Sequence, residues 1–308
     1  MKRIFRVVVA LGLLLVLAWF VLTRGSPLDG PLPDHEVNLS NGELFYWAGG
    51  CASCHAASNT DSSSDDENLL TLGGGREFST PFGVFRAPNI SPDPEFGIGS
   101  WSTLDFVNAM LKGLSPDNRH YYPVFPYPHY QNMKVADVLD LKAFMDTLPA
   151  SSNVVAGHSL QFPYSVRRGV GLWKKRYLPG TRLDVVDAPT PELARGKYLV
   201  HGAAHCGACH TPRDGAGGEI TSLFLAGAES FELDAGRIPN ITPHKNGIGA
   251  WSKSDIEYSL KTGFDPDFDS FGSSMVAVQE NMARLPAEDR AAIAAYLKSI
   301  PAIDSETD

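Results

Sequence analysis

The sequence predicts an all-α fold with two tandem domains behind an N-terminal apolar helix. Three observations support this: an internal repeat, helix start and stop signals at matching places, and an uncharged N-terminal run. Each unit has the same three segments, at 86–92, 97–102 and 141–149 in the first and at 237–243, 247–252 and 293–301 in the second. We therefore predict one domain over 38–150 and another over 188–303.

Each unit contains signals for three main helices and no convincing strand alternation. In the second unit, Thr190-Pro191-Glu192 provides a helix cap, a first-turn proline and an acid near the positive helix end. The middle helix of each unit follows a Ser-x-x-Asp sequence, Ser102 to Asp105 and Ser252 to Asp255, which resembles a capping box. The last helices are expected to stop just before Pro149 and Pro301.

The N-terminus, residues 1–24, is typical of a membrane anchor. Lys2, Arg3 and Arg6 precede residues 7–23, which carry no charge. The run is near the lower length limit for a bilayer span, and no small-x-small cleavage site follows it. We expect an uncleaved signal-anchor, with a cleaved signal peptide as the alternative. In either case the basic end stays in the cytoplasm, and the bulk of the chain lies in the periplasm of a bacterium at its inner membrane.

Charge restricts the class of partner. Residues 25–308 carry 22 Lys and Arg against 35 Asp and Glu, and this acidic balance argues against nucleic acid. It favours docking to a basic patch on another protein. Residues 58–67 form an acidic insertion of the first unit, expected to be a solvated loop. The linker 151–187 is aromatic and basic, and we expect it to pack on the domains.

Two short motifs of the form C-x-x-C-H use every cysteine of the chain. They comprise Cys51, Cys54 and His55 in the first unit, and Cys206, Cys209 and His210 in the second. This spacing is typical of covalent c-type haem attachment, in which two thiols bind the haem and the histidine ligates its iron. A four-thiolate zinc site is the alternative, but about 150 residues separate the motifs and each has its own downstream repeat. We therefore predict two covalently bound haem c groups.

A sixth iron ligand is expected in each domain, since His/Met ligation suits electron transfer. Met133 precedes the last helix of the first unit, and we predict that it ligates the first haem. His120 and His129 are bis-histidine alternatives there. Met275 lies in an irregular segment of the second unit and is the predicted ligand of the second haem, with Met282 as the other choice.

Two tryptophans occupy matching positions in the two units of the repeat. Trp101 and Trp251 are core aromatics in the simpler interpretation, and haem-propionate donors through their indole N–H in the sharper one. Arg76 and Arg86 are further candidates for pairing with propionates.

The chain also resembles a known family, the cytochrome c subunits of membrane-bound alcohol and gluconate dehydrogenases. The resemblance lies in segments spread over residues 38–302, among them 74–76, 80–83, 89–93, 97–102, 122–127, 162–164, 195–200 and 209–213. It implies class I cytochrome c domains and a periplasmic electron-transfer subunit beside a dehydrogenase. The family usually carries three haem domains, whereas this sequence contains two, which leaves the electron acceptor open.

Three functions compete at this point. The first is a dihaem electron-transfer protein, not itself an enzyme, that takes electrons from a dehydrogenase subunit and passes them to a cytochrome, quinone or oxidase. The second is a haem enzyme, either a peroxidase or a thiosulfate-oxidising cytochrome, which needs an open distal site. The third is a haem subunit of a terminal oxidase. The sequence identifies no substrate, because a substrate site would lie on another chain.

Overall fold

The fold was analysed in a computed structural model that describes residues 1–56, 66–178, 188–233 and 236–304. Most of the predicted acidic insertion, residues 58–65, lies outside the described residues. The last part of the predicted linker, residues 179–187, lies outside them too.

Helix α1 (Lys2–Leu22) is exposed throughout, and its length and apolar composition are sufficient to cross a membrane. Its C-terminal end is attached to the first domain. The His120 Nε2–H group donates to the carbonyl oxygen of Thr23 at 2.9 Å. Arg168 donates to the Thr23 hydroxyl at 2.8 Å and to the Phe20 carbonyl at 2.9 Å, which places a cation at the negative end of the helix.

The first domain is mainly helical. Its elements are α2 (Leu39–Ala48), α3 (Cys51–His55), α4 (Asp66–Leu69), β1 (Glu77–Thr80), β2 (Gly83–Arg86), α5 (Thr103–Lys112), α6 (Tyr127–Tyr130) and α7 (Val135–Met145). Helix α5 begins with the capping box expected at Ser102 and Asp105, and it ends at Gly113, whose φ of +59° favours glycine.

Five short strands among the described residues qualify the all-α prediction. Strands β1 and β2 form an antiparallel hairpin in which Glu77 pairs with Arg86 and Thr80 with Gly83. Strand β3 (Ser159–Leu160) adds a third strand beside β2. These strands are two to four residues long, too short for the alternation of apolar and polar residues to stand out from the surrounding loops.

The described part of the linker contacts both domains. Its helix α8 (Val170–Tyr177) donates from Lys174 Nζ to the Gly113 carbonyl of the first domain at 2.7 Å. On the other side, Trp173 Nε1–H donates to the Ala216 carbonyl of the second domain at 3.0 Å. The linker is therefore a packed element that joins the two domains.

The second domain repeats the helical arrangement. Its elements are α9 (Pro191–His201), α10 (Gly207–His210), β4 (Ala228–Glu229), β5 (Arg237–Ile238), α11 (Lys253–Thr262), α12 (Met275–Ala283) and α13 (Ala287–Ser299). Thr190 caps α9 with Pro191 in its first turn, and Ser252 and Asp255 form the expected capping box on α11.

The first and last helices of each domain cross at a glycine. A Cβ added at Gly42 in α2 would overlap the Asp140 carbonyl of α7, and one added at Gly196 in α9 would overlap the Ala292 carbonyl of α13. Both crossings need a residue without a side chain. Behind them, a continuous apolar core runs across both domains, with the rings of Phe45 and Tyr198 at 6.1 Å between centroids.

Candidate haem-attachment sites

Both C-x-x-C-H motifs begin at a sharp turn that follows the first helix of the domain. The residue before Cys51 is Gly50 with φ +57°, and the residue before Cys206 is His205 with φ +38°. A short helix then brings the two cysteines of each motif onto one side, three residues apart. Burial raises the pKa of the Cys51 and Cys206 thiols to about 12, so both are neutral groups facing an apolar interior.

The motif histidines are oriented alike by backbone carbonyl groups. The Nδ1–H group of His55 donates to the Pro88 carbonyl, and that of His210 donates to the Pro239 carbonyl, both at 2.8 Å. Burial lowers the pKa of both rings, while the carbonyl bond opposes the shift. In the neutral tautomer assigned from this bond, the Nε2 lone pair is available to iron. A bond from the other ring nitrogen to a carbonyl group is the usual outer-sphere support of a ligating histidine.

An asparagine follows each of these prolines, and its side chain fixes the backbone there. The side-chain oxygen of Asn89 accepts from the Ser91 backbone N–H at 2.9 Å, and that of Asn240 accepts from the Thr242 N–H at 2.8 Å. Their amide nitrogens donate to the chain beyond the last helix of each domain. Sequence reasoning found the repeated Pro-Asn segments but not this role, because the histidine partner lies about 30 residues away in each domain.

The residues present fit two haem groups better than one zinc ion. In each domain a cysteine pair, an oriented neutral imidazole and an apolar interior occur together. Among the described residues, His, Cys, Asp and Glu side chains form no group of three or more arranged to hold a metal ion, so the four thiols do not gather into one site.

Each motif is also covered by the other domain. Asn281 of α12 donates its side-chain amide to Ser53 Oγ, within the first motif, at 2.8 Å. Reciprocally, His129 of α6 lies against Gly207 of the second motif, where an added Cβ would be 2.8 Å from the ring carbon Cε1. Buried Glu219 accepts from His129 Nε2–H at 2.7 Å. The two attachment sites therefore lie at the interface between the domains.

Burial raises the pKa of Cys209, the second cysteine of the second motif; Arg213 opposes that shift, and Cys54 of the first motif adds to it.

An arginine bonds to the same backbone carbonyl of each motif, although the two arginines lie at different positions of the repeat. Arg76 donates to the carbonyl of Ser53 at 2.7 Å, and Arg213 donates to the carbonyl of Ala208 at 2.8 Å. Each carbonyl belongs to the third residue of its motif. Arg86 is bound to Glu77 at 2.7 Å in the β1–β2 hairpin. Arg76 and Arg86 thus hold protein groups, and their pairing with propionates stays a prediction.

The two predicted methionine ligands differ in setting. Met275 is the first residue of α12 and is half-buried. Met133 is buried between the domains, with its Cγ 3.5 Å from a Cβ added at Gly202. The alternative Met282 is buried within α12.

Backbone hydrogen bonds show which positions of the two domains correspond. In the first domain, Phe125 N–H donates to the Tyr122 carbonyl. In the second domain, Met275 N–H donates in the same way to the Gly272 carbonyl. Phe125 therefore occupies the position in the first domain that Met275 occupies in the second. Met133 precedes the last helix, where the second domain has Leu285. The methionines are therefore not equivalent, and ligation by Met133 and Met275 stays a prediction.

The other candidate ligands have partners of their own. His120 and His129 both use Nε2, for Thr23 and Glu219 respectively. Trp101 and Trp251 are half-buried against the core, as their matching positions suggested. Whether their indole groups contact propionates stays a prediction.

Comparison with known proteins agrees with this geometry. The family model described as cytochrome c matches residues 39–149 and 193–301. A diheme cytochrome c-type protein of Cereibacter sphaeroides is 46% identical over 306 residues, covering 99% of this chain and 100% of that protein. The fructose dehydrogenase cytochrome subunit of Gluconobacter japonicus is 32% identical and covers 91% of this chain. The cytochrome c subunit of the quinone-dependent alcohol dehydrogenase of Gluconobacter oxydans is 31% identical and covers 98%. The chain spans 56% and 61% of the lengths of these last two proteins.

Proposed function

This chain belongs to the cytochrome c family, and we propose that it is a membrane-tethered electron carrier that passes single electrons from a partner dehydrogenase to a respiratory acceptor. It carries two covalently bound haem c groups, one in each cytochrome c domain. The observation that carries the proposal is the placement of both attachment motifs at one domain interface, where Asn281 bonds to Ser53 of the first motif and His129 lies against Gly207 of the second.

The protein's own groups hold and tune the cofactors. Haem c, when bound, supplies a one-electron Fe(III)/Fe(II) couple. The four cysteines fix the two groups in place, and the Nε2 atoms of His55 and His210 are available to the iron. The carbonyls of Pro88 and Pro239 increase the basicity of those rings through their Nδ1–H bonds, which stabilises the oxidised metal. Met275 is our proposed sixth ligand of the second haem, and Met133 is that of the first.

The interface favours passage of an electron between the domains. Asn281 joins α12 to the first motif, and His129 with Glu219 joins α6 to the loop after the second. Such a satisfied polar network, set in a shared apolar core, keeps the two domains in one arrangement. A fixed arrangement of the two cofactors would let the chain act as a two-step relay instead of two independent carriers.

The attachment of α1 supports retention of the N-terminal helix as an anchor. Thr23 is 1% exposed, and its carbonyl and hydroxyl groups bond to His120 and Arg168 of the folded domain. Loss of the segment by cleavage would leave the buried ring of His120 and the guanidinium of Arg168 without these partners. We therefore place the chain at a bacterial inner membrane, with the haem domains in the periplasm.

Names of relatives support a dehydrogenase as the electron donor. Cytochrome subunits of fructose and alcohol dehydrogenases are similar to this chain over most of its length. An acidic chain with two covalent haems suits the same division of labour, in which oxidation of the substrate occurs on another subunit.

The experiment is purification of the tagged full-length chain from native membranes in mild detergent. Alcohols, aldehydes, sugars and sugar acids are then added while the haem absorption is recorded. We expect a large dehydrogenase chain to copurify and one substrate class to reduce the haems. If the protein comes away alone and only peroxide or thiosulfate is turned over, the protein is a haem enzyme and the proposal is wrong.

A further inference from the structure

The same loop occurs in both domains, but other segments of the chain cover it in the first domain, whereas its side chains are exposed in the second. In the second domain it comprises residues 263–271, which we name the aromatic loop. Its first-domain counterpart comprises residues 113–121. Matching backbone bonds define the pair: Tyr121 N–H donates to the Gly113 carbonyl at 2.8 Å, and Phe271 N–H to the Gly263 carbonyl at 2.7 Å.

In the first domain this loop is covered by the chain itself. Gly25, just beyond the anchor helix, lies against Leu114, whose Cδ2 is 2.9 Å from an added Cβ. Helix α8 lies across the same loop, since a Cβ added at its Gly171 would be 2.8 Å from His120 Nε2. Leu114 is only 1% exposed as a result.

The covering helix is basic. Lys174 of α8 donates to the carbonyls of Lys112 and Gly113, at the C-terminal end of α5. Arg168, just before α8, bonds to the end of the anchor. The chain thus shows which surface suits this loop: a helix with small and apolar residues, bordered by cations.

In the second domain the corresponding surface is apolar and exposed. Phe264 takes the place of Leu114 and is 42% exposed; Phe268 takes the place of Asn118 and is 75% exposed. Among the residues that the structure describes, none covers these rings as α8 covers the first-domain loop. Exposed neighbouring phenylalanines are a feature of interaction sites more than of free surfaces.

Phe268 is also held in an unfavourable backbone conformation. Its φ is +64°, where Asn118 in the first domain has φ +58°. Asparagine tolerates this left-handed region, whereas a bulky aromatic residue is rare there. A strained residue that is also exposed gains nothing from packing within the chain, and this points to a role in binding.

Charge and position identify the partner. The exposed acids Asp267 and Asp269 flank Phe268, so the loop is suited to a basic surface. The loop begins against α12, since a Cβ added at Gly263 would be 3.0 Å from Gln279 Oε1 of that helix. Met275, the proposed ligand of the second haem, begins that helix.

We propose that the aromatic loop is the docking surface for a basic redox protein, which exchanges electrons with the second haem. The partner presents an apolar contact surface bordered by lysine or arginine, as α8 does in the first domain. This inference rests on the proposed electron-transfer function and adds the entry or exit point for electrons.

The test uses the full-length protein in detergent, reduced, and a lysine-rich soluble cytochrome c as the oxidised probe. Stopped-flow mixing gives the second-order rate constant at several ionic strengths. For the D267N/D269N variant we expect about a tenfold slower reaction at low salt and a weaker dependence on salt. Phe268→Ala should slow the reaction several-fold at every ionic strength, with both haem spectra unchanged.

Matched controls come from the first domain and the linker. Asp117→Asn alters the position equivalent to Asp267, and Phe162→Ala removes another highly exposed phenylalanine. Neither should change the rate by more than twofold. Equal rates for the loop variants and the wild type would overturn the docking proposal alone. If the wild-type haems exchange electrons neither with the cytochrome c probe nor with a dehydrogenase reduced by its substrate, the proposed function is wrong as well.

Discussion

The side-chain amide of Asn281 in the second domain donates to Ser53 Oγ in the first haem motif at 2.8 Å. This bond connects the helix that begins with Met275, the proposed ligand of the second haem, to the short helix α3 that carries the first attachment motif. The second domain is therefore in direct contact with the first attachment motif, and the two form one structural unit.

Replacement of Asn281 by alanine is expected to loosen this unit. Loss of the bond leaves Ser53 without its partner at the interface and should lower the free energy of unfolding by about 1 kcal/mol. Thermal unfolding followed through the haem absorption measures the effect. Glu280→Ala, an exposed neighbour on the same helix, is the control and should leave the unfolding curve unchanged.

Met275→Leu tests the second-haem ligand. We expect loss of the thioether-to-iron charge-transfer absorption from one haem and a lower reduction potential for that haem alone, because thioether ligation raises the potential. Spectra of the oxidised protein and a redox titration check both. Met282→Leu should change neither, and loss of the absorption in that variant instead would reassign the ligand.

Met133→Leu tests the first haem in the same way. The sequence predicts loss of the remaining charge-transfer absorption. Retention of that absorption would mean that Met133 only packs against Gly202. Because Phe125 lies at the position of Met275, the first haem would then be ligated differently from the second. Carbon monoxide binding by the reduced wild type separates these outcomes, because a closed His/Met site binds it poorly.

Asn89→Ala and Asn240→Ala form a matched pair. Each removes the side-chain bonds that fix the backbone beside the proline whose carbonyl accepts from the motif histidine, at a cost of about 1–3 kcal/mol for the buried groups left unpaired. We expect Asn89→Ala to shift the potential of the first haem and Asn240→Ala that of the second. A potentiometric titration in which either variant moves both potentials equally would argue against independent tuning.

Stability should fall in mild acid through His158. Burial, with Arg167 and Arg86 nearby, lowers the pKa of this ring from 6.5 to about 4. Between these values the unfolded chain binds more protons than the folded one, so the free energy of unfolding decreases as the pH falls from about 6.5 to about 4. His158→Gln should flatten this slope in denaturant titrations; an unchanged slope would contradict the assignment.

Local signals made much of this fold predictable. The capping boxes at Ser102 and Ser252 and the C-x-x-C-H motifs depend on residues within a few positions of one another, so they are visible in the sequence. The β1–β2 hairpin was not predicted, since four-residue strands carry too little periodicity. The bond from His55 to Pro88 was also missed, because it depends on a long-range contact between segments that have no shared pattern.

The domain interface was equally invisible. Nothing in the sequence places Asn281 beside Ser53 or His129 beside Gly207, since these contacts form only when two separate units pack together. The repeat identified which segments correspond, but those segments do not include Phe125 and Met275, whose match was therefore not visible. Only the backbone hydrogen bonds of the fold show that the segments of Phe125 and Met275 correspond.

The most direct test of the central claim is the number of haems reduced by substrate. The complex purified from native membranes is mixed with each candidate substrate in a stopped-flow spectrometer, and the amplitude is compared with full chemical reduction by dithionite. Our account predicts that one substrate class reduces two haems per chain, in two kinetically resolved or coincident steps. Reduction by dithionite but by no substrate, in a preparation that contains the dehydrogenase chain, would contradict it.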